Sequence, residues 1–204
     1  MSFFLNSLFS GIRLSTPLSF AALGGYFSER SGVINIGLEG MMLMGCFVSA
    51  AVAHATHNPL LGVLAGIFGG MFLAAMHAFL CITMRADQII SGIAVNLLAV
   101  GIPPVICKAL YGMSGGTPML QTADRVPTFF GVSPLVIAAF GMAAFLWFVH
   151  KHTRFGGYVR FAGEHPEALQ SQGVSVKLVR WQGVLLAGAF CGLAGAYLSM
   201  DHGT

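Results

Sequence analysis

Six residues beside long apolar runs are suited to holding a polar molecule. Asn and Ser side chains form hydrogen bonds, Gly permits non-helical turns, and Glu within an apolar run is costly unless it faces a cavity or a partner. The six occur in the stretches GVINIGLEG and DQIISGIAVNLL: Asn35, Gly37, Glu39, Gly40, Ser91 and Asn96. This pattern predicts hydrogen bonding of a polar solute along a path through the membrane, and no bond-making chemistry.

Each of these residues also has a purely structural interpretation. SERSG can be an ordinary turn with Glu39 near the membrane surface, because long polar side chains at span ends extend towards water. Asn35 is predicted to be the N-cap of the helix that follows it. Ser91 and Asn96 can form hydrogen bonds between helices. The sequence leaves these alternatives open.

Other kinds of site lack the residues that they need. The four cysteines lie in apolar runs without CxxC spacing, so neither a disulfide framework nor a zinc site is indicated. His54 and His57 have no third ligand nearby in the sequence. GMSGGTP lacks the G-K-[ST] ending of a phosphate loop. We therefore expect no metal, no cofactor and no enzymatic activity in this chain.

The composition predicts the environment of the protein. Hydrophobic residues make up 56% of the 204 residues and charged residues only 8%, against about 25% charged in ordinary soluble domains. A water-soluble fold would expose too much apolar surface. Because lipid offers the backbone no hydrogen bonds, the apolar runs are predicted to be helices. The expected fold class is all-α, in a polytopic membrane protein, and the net charge of +3 is too small to indicate nucleic acid.

About six apolar runs are long enough to cross a bilayer, which takes about 20 residues. Their approximate bounds are Phe3–Phe27, Ile36–Ala53, Leu60–Met84, Ile89–Cys107, Val132–Val149 and Trp181–Met200. They predict one transmembrane domain over residues 1–204, with a broken or re-entrant segment near residues 28–40.

The positions of Lys and Arg predict the orientation, because cytoplasmic loops are enriched in both. The connection between the fifth and sixth spans, residues 151–180, contains Lys151, Arg154, Arg160, Lys177 and Arg180. We expect this loop to be cytoplasmic. Alternation of the spans then places the N-terminus outside.

Small residues recur at four-residue spacing in the third and sixth spans. Such spacing puts them on one helix face, where another backbone can approach closely. They are Gly62, Gly66 and Gly70 in the third span, and Gly188 and Gly192 in the sixth. Their predicted role is helix packing.

The connection at residues 151–180 contains the pattern of a short helix. Pro166 suits the first turn, Glu167 suits the positive end of the helix dipole, and Gly173 would end the helix. The side chains expected to be buried are Phe161, Ala168, Leu169 and Val174. A plain loop with a chance helix remains the alternative.

Two separated stretches resemble a known family. The spacing EALxxxG from Glu167 to Gly173 is similar to the EAAxxxG coupling motif of ATP-binding-cassette (ABC) importer permeases. ALGGYFSERSGVINIGLEGMMLMG and YVRFAGEHPEALQSQGVSVKLVRWQG together resemble the permease subunits of bacterial importers for simple sugars, nucleosides and branched-chain amino acids. The first stretch resembles the nucleoside-type branch most.

This resemblance implies a transport subunit of the bacterial cytoplasmic membrane that passes a nucleoside, or next a simple sugar, by alternating access. Separate ATPase subunits would bind ATP and push on the coupling loop. The coupling residues would be Gly163, Glu164, Pro166, Glu167, Ala168 and Gly173. A second, different permease subunit, an extracytoplasmic solute-binding protein and membrane lipid are the other implied partners. Family members continue beyond the position of Thr204, so we expect the chain to be incomplete at its C-terminus.

Three other functions stay open at this point. A branched-chain amino acid permease would share the same family pattern. An ion-coupled secondary transporter would need no ATPase, so the absence of a co-purifying ATPase would favour it. A membrane enzyme would need convergent acids or histidines, for which the apolar runs offer mainly Glu39 and His77.

Overall fold

The computed structural model describes residues 2–112, 116–121, 124–126 and 133–202. Within these ranges all regular structure is helical and no strand occurs, so the all-α prediction is confirmed. A π-helical turn at Phe79–Thr83 follows α3 directly. The helices are α1 Ser2–Arg30, α2 Leu38–Thr56, α3 Pro59–Ala78, α4 Gln88–Tyr111, α5 Pro134–His152, α6 Arg154–Glu164, α7 Pro166–Ser171 and α8 Val176–His202.

Five helical segments of the described chain are long and apolar enough to cross a membrane: α2, α3 with its π-helical turn, α4, α5 and α8. They correspond to five of the predicted spans. The remaining predicted span, Phe3–Phe27, forms the helix α1 but falls outside this group, because polar residues such as Arg13 and Thr16 interrupt it. Its 29 residues would still extend about 43 Å at 1.5 Å per residue. The polytopic membrane fold is confirmed, with five such segments plus α1.

The central helix of the bundle is α8. In its most apolar stretch 72% of the residues are buried, against 17% in α5. Helices α1, α2 and α3 surround α8, while α4 lies on α2 and α5 lies on α1. The outward faces of α3, α4 and α5 expose large apolar side chains such as Phe68, Leu97 and Trp147. These faces suit contact with lipid or with another apolar surface.

Close contact between α3 and α8 depends on glycine. A Cβ atom at Gly70 would meet backbone atoms of Gly188 and Gly192, and a Cβ atom at Gly192 would meet the backbone of Gly66. Gly62 lies one turn before Gly66 in α3, and a Cβ atom there would stand 2.7 Å from Cε of Met200. The two glycine series therefore face each other across the α3–α8 contact.

The two ends of the helix bundle carry different charged residues. The end of the bundle that carries Arg30, Lys151 and Arg180, here called the basic end, includes the end of α1 and the start of α8. At the opposite end Arg13 forms an ion pair of 2.7 Å with Asp201. Asp201 of α8 is therefore the partner of Arg13 within the bundle. Which end faces the cytoplasm stays a prediction.

The connection between α5 and α8 contains two helices where the sequence predicted one. RFGGYVR, whose two glycines favour a loop, forms most of α6. The Thr153 hydroxyl caps this helix by accepting from the Gly156 N–H at 3.3 Å. A Cβ atom at Gly156 would collide with the backbone of His150, so glycine there permits the tight corner between α5 and α6. The predicted short helix is confirmed as α7, which begins at Pro166.

The burial of this connection differs from the prediction. Leu169 is buried and Val174 half-buried, as expected, but Phe161 and Ala168 are exposed. Leu169 packs in one cluster with Val159 of α6 and residues of α8. The prediction for Phe161 and Ala168 is wrong, because α6 turns Val159 and Ala162 inward instead of Phe161, and α7 turns only Leu169 inward.

Candidate solute path and coupling site

A non-helical segment of seven residues, 31–37, separates α1 from α2 and is here called the break. The predicted interruption near residues 28–40 is thus confirmed. Asn35 does not cap α2 as predicted, because the N-cap position is Gly37 and no side chain bonds there. The Asn35 carboxamide oxygen instead accepts from the Gly37 N–H at 3.1 Å, which closes a local turn within the break.

Side chains of α3 and α4 bind the backbone of the break. The Gln88 Oε1 atom accepts from the Ile34 N–H at 2.7 Å, and His77 Nε2 donates to the Ile34 carbonyl at 3.2 Å. The Asn96 Nδ2 group donates to the Ile36 carbonyl at 3.1 Å. Backbone groups outside a helix need such partners at membrane depth. The break is therefore held in place by amide and imidazole side chains.

The contacts of His77 determine its tautomer. A carbonyl oxygen only accepts, so Nε2 must carry the hydrogen that it donates to Ile34, and Nδ1 of the neutral ring is then an acceptor. The Ser91 hydroxyl lies 3.0 Å from Nδ1 and donates to it. Both side chains are buried. Ser91 thus orients His77 and, through it, the break.

Asn96 joins the break to the first turn of α2. Its Oδ1 atom accepts from the Gly40 N–H at 2.8 Å, while its Nδ2 group holds Ile36. The Gly40 N–H is one of the first-turn donors that lack a partner within a helix. A Cβ atom at Gly40 would stand 2.6 Å from Oδ1 of Asn96, so the contact needs glycine.

A groove of about 340 Å³ lies between α2, α4 and α8 beside these bonds. Among the six residues predicted for the solute path, Glu39, Gly40 and Asn96 line it. A second groove of about 250 Å³ shares Leu43, Cys46 and Val100 with the first and extends it towards the opposite end of the bundle. The other lining residues of the first groove are Met42, Leu43, Cys46, Ile93, Leu97, Val100 and Leu198. Its walls are apolar, and the polar side chains of Glu39 and Asn96 lie beside the start of α2.

The other three predicted residues do not line this groove. Asn35, Gly37 and Ser91 are buried next to it, within the contacts that hold the break. The structure therefore brings together Glu39, Gly40 and Asn96 and assigns Asn35 and Ser91 supporting contacts. A role in solute passage stays a prediction for all six. The contacts of Gln88 and His77 with the break were not foreseen, because their partner Ile34 is an apolar residue whose backbone does the bonding.

The loop formed by α6 and α7, here called the coupling loop after its predicted role, lies next to the break. Arg30, at the end of α1, donates to Glu164 at 2.7 Å, and Arg160 donates to the same carboxylate at 3.2 Å. The hydrogen bond from Arg160, together with the charges of Arg160 and Arg30, lowers the pKa of Glu164. A Cβ atom at Gly32 would stand 3.1 Å from Cα of Gly163. Two of the predicted coupling residues, Gly163 and Glu164, therefore lie against the end of α1 and the break.

The other predicted coupling residues shape α7. Pro166 occupies its first turn, and Glu167 and Ala168 are exposed on its outer side. Gly173 follows its end with φ +76°, a conformation that favours glycine. This short helix thus presents an outer surface while Leu169 anchors its inner side.

Residues 7–204 match a family model described as the permease component of the branched-chain amino acid transport system. The chain belongs to this permease family. Family membership and the five apolar helical segments identify a multi-pass membrane protein that is a transport component. The resemblance stated from the sequence is thereby confirmed.

The relatives that this chain matches include permease proteins named for nucleoside and glucose transport. The chain is 37% identical to the guanosine ABC transporter permease protein NupQ of Bacillus subtilis, and 34% identical to the nucleoside ABC transporter permease protein NupC of Lactococcus lactis. Each alignment covers 89% of this chain and 63% of the relative. A putative glucose ABC transporter permease protein of Haloferax volcanii, TsgC13, is 36% identical, over 98% of this chain and 64% of the relative.

The chain spans less than two thirds of the length of these relatives. No solved structure matches it.

Proposed function

We propose that this permease is the membrane subunit of an ATP-driven importer that passes a nucleoside inward across the bacterial cytoplasmic membrane. One observation carries the proposal: the loop formed by α6 and α7 lies against the break, at Arg30–Glu164 and Gly32–Gly163. A displacement of the loop would therefore reach a non-helical segment of the membrane domain without an intermediate element. Interrupted helices are the places where transporters expose backbone groups to their solutes.

The orientation in this proposal places the basic end in the cytoplasm. Residues 151–180 and the end of α1 carry six of the ten Lys and Arg residues, which favours that side. The N-terminus would then lie outside, as would the connection near residues 111–131. On that side the connection would be the candidate contact for a solute-binding protein. Much of it lies outside the described residues.

The partners in this proposal follow from the exposed surfaces. Two ATPase subunits would bind ATP and contact α7 through Pro166, Glu167 and Ala168, since α7 presents these residues outward. A second permease subunit, different from this one, would cover part of the apolar outer faces. An extracytoplasmic binding protein would deliver the solute. The permease itself would need no cofactor.

A nucleoside fits the groove by its chemistry. Glu39 and Asn96 offer a carboxylate and a carboxamide at one end, which suit hydroxyl groups and the polar edge of a base. The apolar walls suit the faces of a base. The names of NupQ and NupC favour the same solute class. A simple sugar is the second candidate, because of the similarity to TsgC13.

Reconstitution tests the function of the permease directly. The intact permease would be placed in liposomes with its ATPase subunits, its second permease subunit and the binding protein. We expect uptake of radiolabelled guanosine that requires ATP on the side of the membrane where the ATPase subunits are bound. Other nucleosides should inhibit this uptake more strongly than glucose or leucine does. Uptake that follows an ion gradient without ATP would overturn the proposal, and inhibition by leucine alone would reassign the solute.

The end of α7 provides a test of the coupling role. Gly173→Val should lower ATP-dependent uptake about tenfold, because a β-branched residue in the left-handed region costs about 1–2 kcal/mol, roughly one factor of ten. The side chain itself has room, since no atom lies within 4 Å of a Cβ placed there. Any loss would therefore reflect the backbone conformation.

The matched control for this variant is Gly173→Asn, because asparagine tolerates the left-handed region far better. It should retain most of the uptake. Both variants would be measured for uptake and for ATP hydrolysis stimulated by the loaded binding protein. Equal activity of Gly173→Val and the wild type would argue that the end of α7 plays no part in coupling.

A further inference from the structure

One side chain of α8 bonds to both the break and the coupling loop. Arg180 lies in the second turn of α8, and its Nε group donates to the Ser31 carbonyl at 3.2 Å. Its Nη2 group donates to the Ala162 carbonyl at 3.1 Å. Ser31 begins the break and Ala162 lies in the last turn of α6, so one guanidinium connects the two segments.

Both acceptors are carbonyls that a helix leaves without an internal partner. The last four carbonyls of a helix have no N–H group to bind within that helix, and Ala162 is among the last four residues of α6. Ser31 directly follows the last residue of α1. A positive charge beside two helix C-termini is also favoured by the helix dipoles. Arg180 therefore caps α1 and α6 together.

The backbones around Arg180 are in close contact. A Cβ atom at Gly183 would stand 2.8 Å from the Ser31 Oγ atom, and one at Gly163 would collide with the Arg30 carbonyl. The end of α1, the end of α6 and the start of α8 thus pack closely at glycines, with the small Ser31 side chain against Gly183. The Arg30–Glu164 pair nearby is exposed on both sides, and such surface pairs contribute little.

We propose that Arg180 is a positioning residue that fixes the coupling loop and the break as one rigid unit. This inference rests on the proposed function and adds the residue that connects movement of the loop to movement of the break. When the ATPase subunits displace α7 and α6, the bonds of Arg180 make Ser31 and the break follow. Without them, the loop would move while the break stays behind.

The guanidinium is needed because its planar fork presents several N–H groups in fixed directions. The Lys ammonium keeps the charge but is a compact point donor, so Arg180→Lys should hold one carbonyl at a time. Arg180→Gln removes the charge and shortens the side chain. The matched control is Lys177→Gln. The Lys177 side chain is exposed and forms no hydrogen bond or ion pair within the described part of the chain.

The experiment uses the complete transporter in liposomes, with uptake and ATP hydrolysis measured on the same preparation. We expect the ratio of solute imported to ATP hydrolysed to fall at least about tenfold in Arg180→Gln. Arg180→Lys should show an intermediate ratio and Lys177→Gln the wild-type ratio. A purely structural role would lower the amount of folded protein and leave this ratio unchanged, which would overturn the inference.

Hydrogen exchange gives a second readout that includes the wild type. A non-hydrolysable ATP analogue should change the exchange of peptides covering residues 160–173 and of those covering residues 31–37. In Arg180→Gln the first change should remain and the second should disappear. If the analogue changes only residues 160–173 in the wild type, the inference is wrong, even where no Arg180 variant can be purified.

The failures of the two proposals are distinguishable. Wild-type transporter without ATP-dependent uptake would contradict the proposed function. Wild-type transporter that imports solute, with Arg180→Gln showing the same ratio and the same exchange changes, would contradict only the role of Arg180.

Discussion

Replacing Gly70 with leucine is expected to prevent stable folding of the permease. A Cβ atom at this position meets only backbone atoms of α8, at Gly188 and Gly192, so no side chain can move aside. Overpacking of a core typically costs about 1–3 kcal/mol and occasionally more. Because α8 is the central helix, its separation from α3 also loosens α1 and α2. We expect the free energy of unfolding to fall by about 3 kcal/mol or more.

Gly101→Leu is the matched control for Gly70→Leu. Gly101 also lies within a membrane-crossing helix, but nothing stands within 4 Å of a Cβ atom placed there. In both positions leucine has the higher intrinsic helix propensity, by roughly 1 kcal/mol. Gly101→Leu should therefore fold as well as the wild type or better, and only Gly70→Leu should lose stability.

The measurements are the yield of monodisperse protein in detergent and its unfolding midpoint. If Gly70→Leu and Gly101→Leu unfold at the same temperature, the close contact between α3 and α8 does not contribute to stability as the structure indicates. Gly192→Leu provides an independent check, because a Cβ atom there meets the backbone of Gly66 and Ile67.

Features of this fold that depend on local sequence could be predicted. Apolar length identifies α2, α3, α4, α5 and α8, because a helix that crosses lipid must be apolar along its whole length. Pro166 and Gly173 mark α7, since both residues restrict the backbone at helix ends. The cluster of glycines with Asn35 and Glu39 marks the break. Each of these signals lies within a few residues of the structure that it specifies.

Other features depend on contacts that one sequence does not show. The helix α6 contains Gly156 and Gly157, which favour a loop by propensity, but the Thr153 cap and the contact with His150 support a helix there. Arg180 donates to the carbonyls of Ser31 and Ala162. Because every residue has a backbone carbonyl, the sequence does not show which carbonyls accept these bonds. The burial of Phe161 and Ala168 was predicted wrongly, because the inward sides of α6 and α7 depend on how both helices pack against α8.

The candidate solute path was predicted in part for the same reason. Glu39, Gly40 and Asn96 line one groove only because α2 packs on α4, which places residues 56 positions apart within 2.8 Å. Residue type alone marks Asn35 and Ser91 equally as polar groups in apolar runs. Tertiary packing then assigns them to the contacts beneath the groove, where they support the break.

Asn96→Leu is expected to abolish transport by releasing the break. The substitution removes the acceptor for the Gly40 N–H and the donor to the Ile36 carbonyl, and leaves both backbone groups without a partner. Gly40 is buried, and an unsatisfied buried polar group costs about 1–3 kcal/mol. Leucine has the same number of side-chain heavy atoms as asparagine and the same branch at Cγ, so the loss of the two hydrogen bonds is the main change.

Two further variants separate the parts that Asn96 plays. Ile90→Ala removes an apolar side chain of α4 that is 69% exposed and lines neither groove, and it should leave uptake near the wild-type level. Asn96→Asp keeps an acceptor for the Gly40 N–H but loses the donor to Ile36. It should therefore retain more folded protein than Asn96→Leu and still transport poorly.

The decisive measurements are ATP-dependent uptake in liposomes and hydrogen exchange at residues 31–40. Asn96→Leu should lower uptake at least about tenfold, the equivalent of about 1.4 kcal/mol, and speed exchange at Gly40. Faster exchange is expected because the Gly40 N–H loses its acceptor. If Asn96→Leu lowers uptake while exchange at residues 31–40 stays unchanged, Asn96 acts by contacting the solute. If neither changes, the break is held by Gln88 and His77 alone and needs no bond from α4 at Asn96.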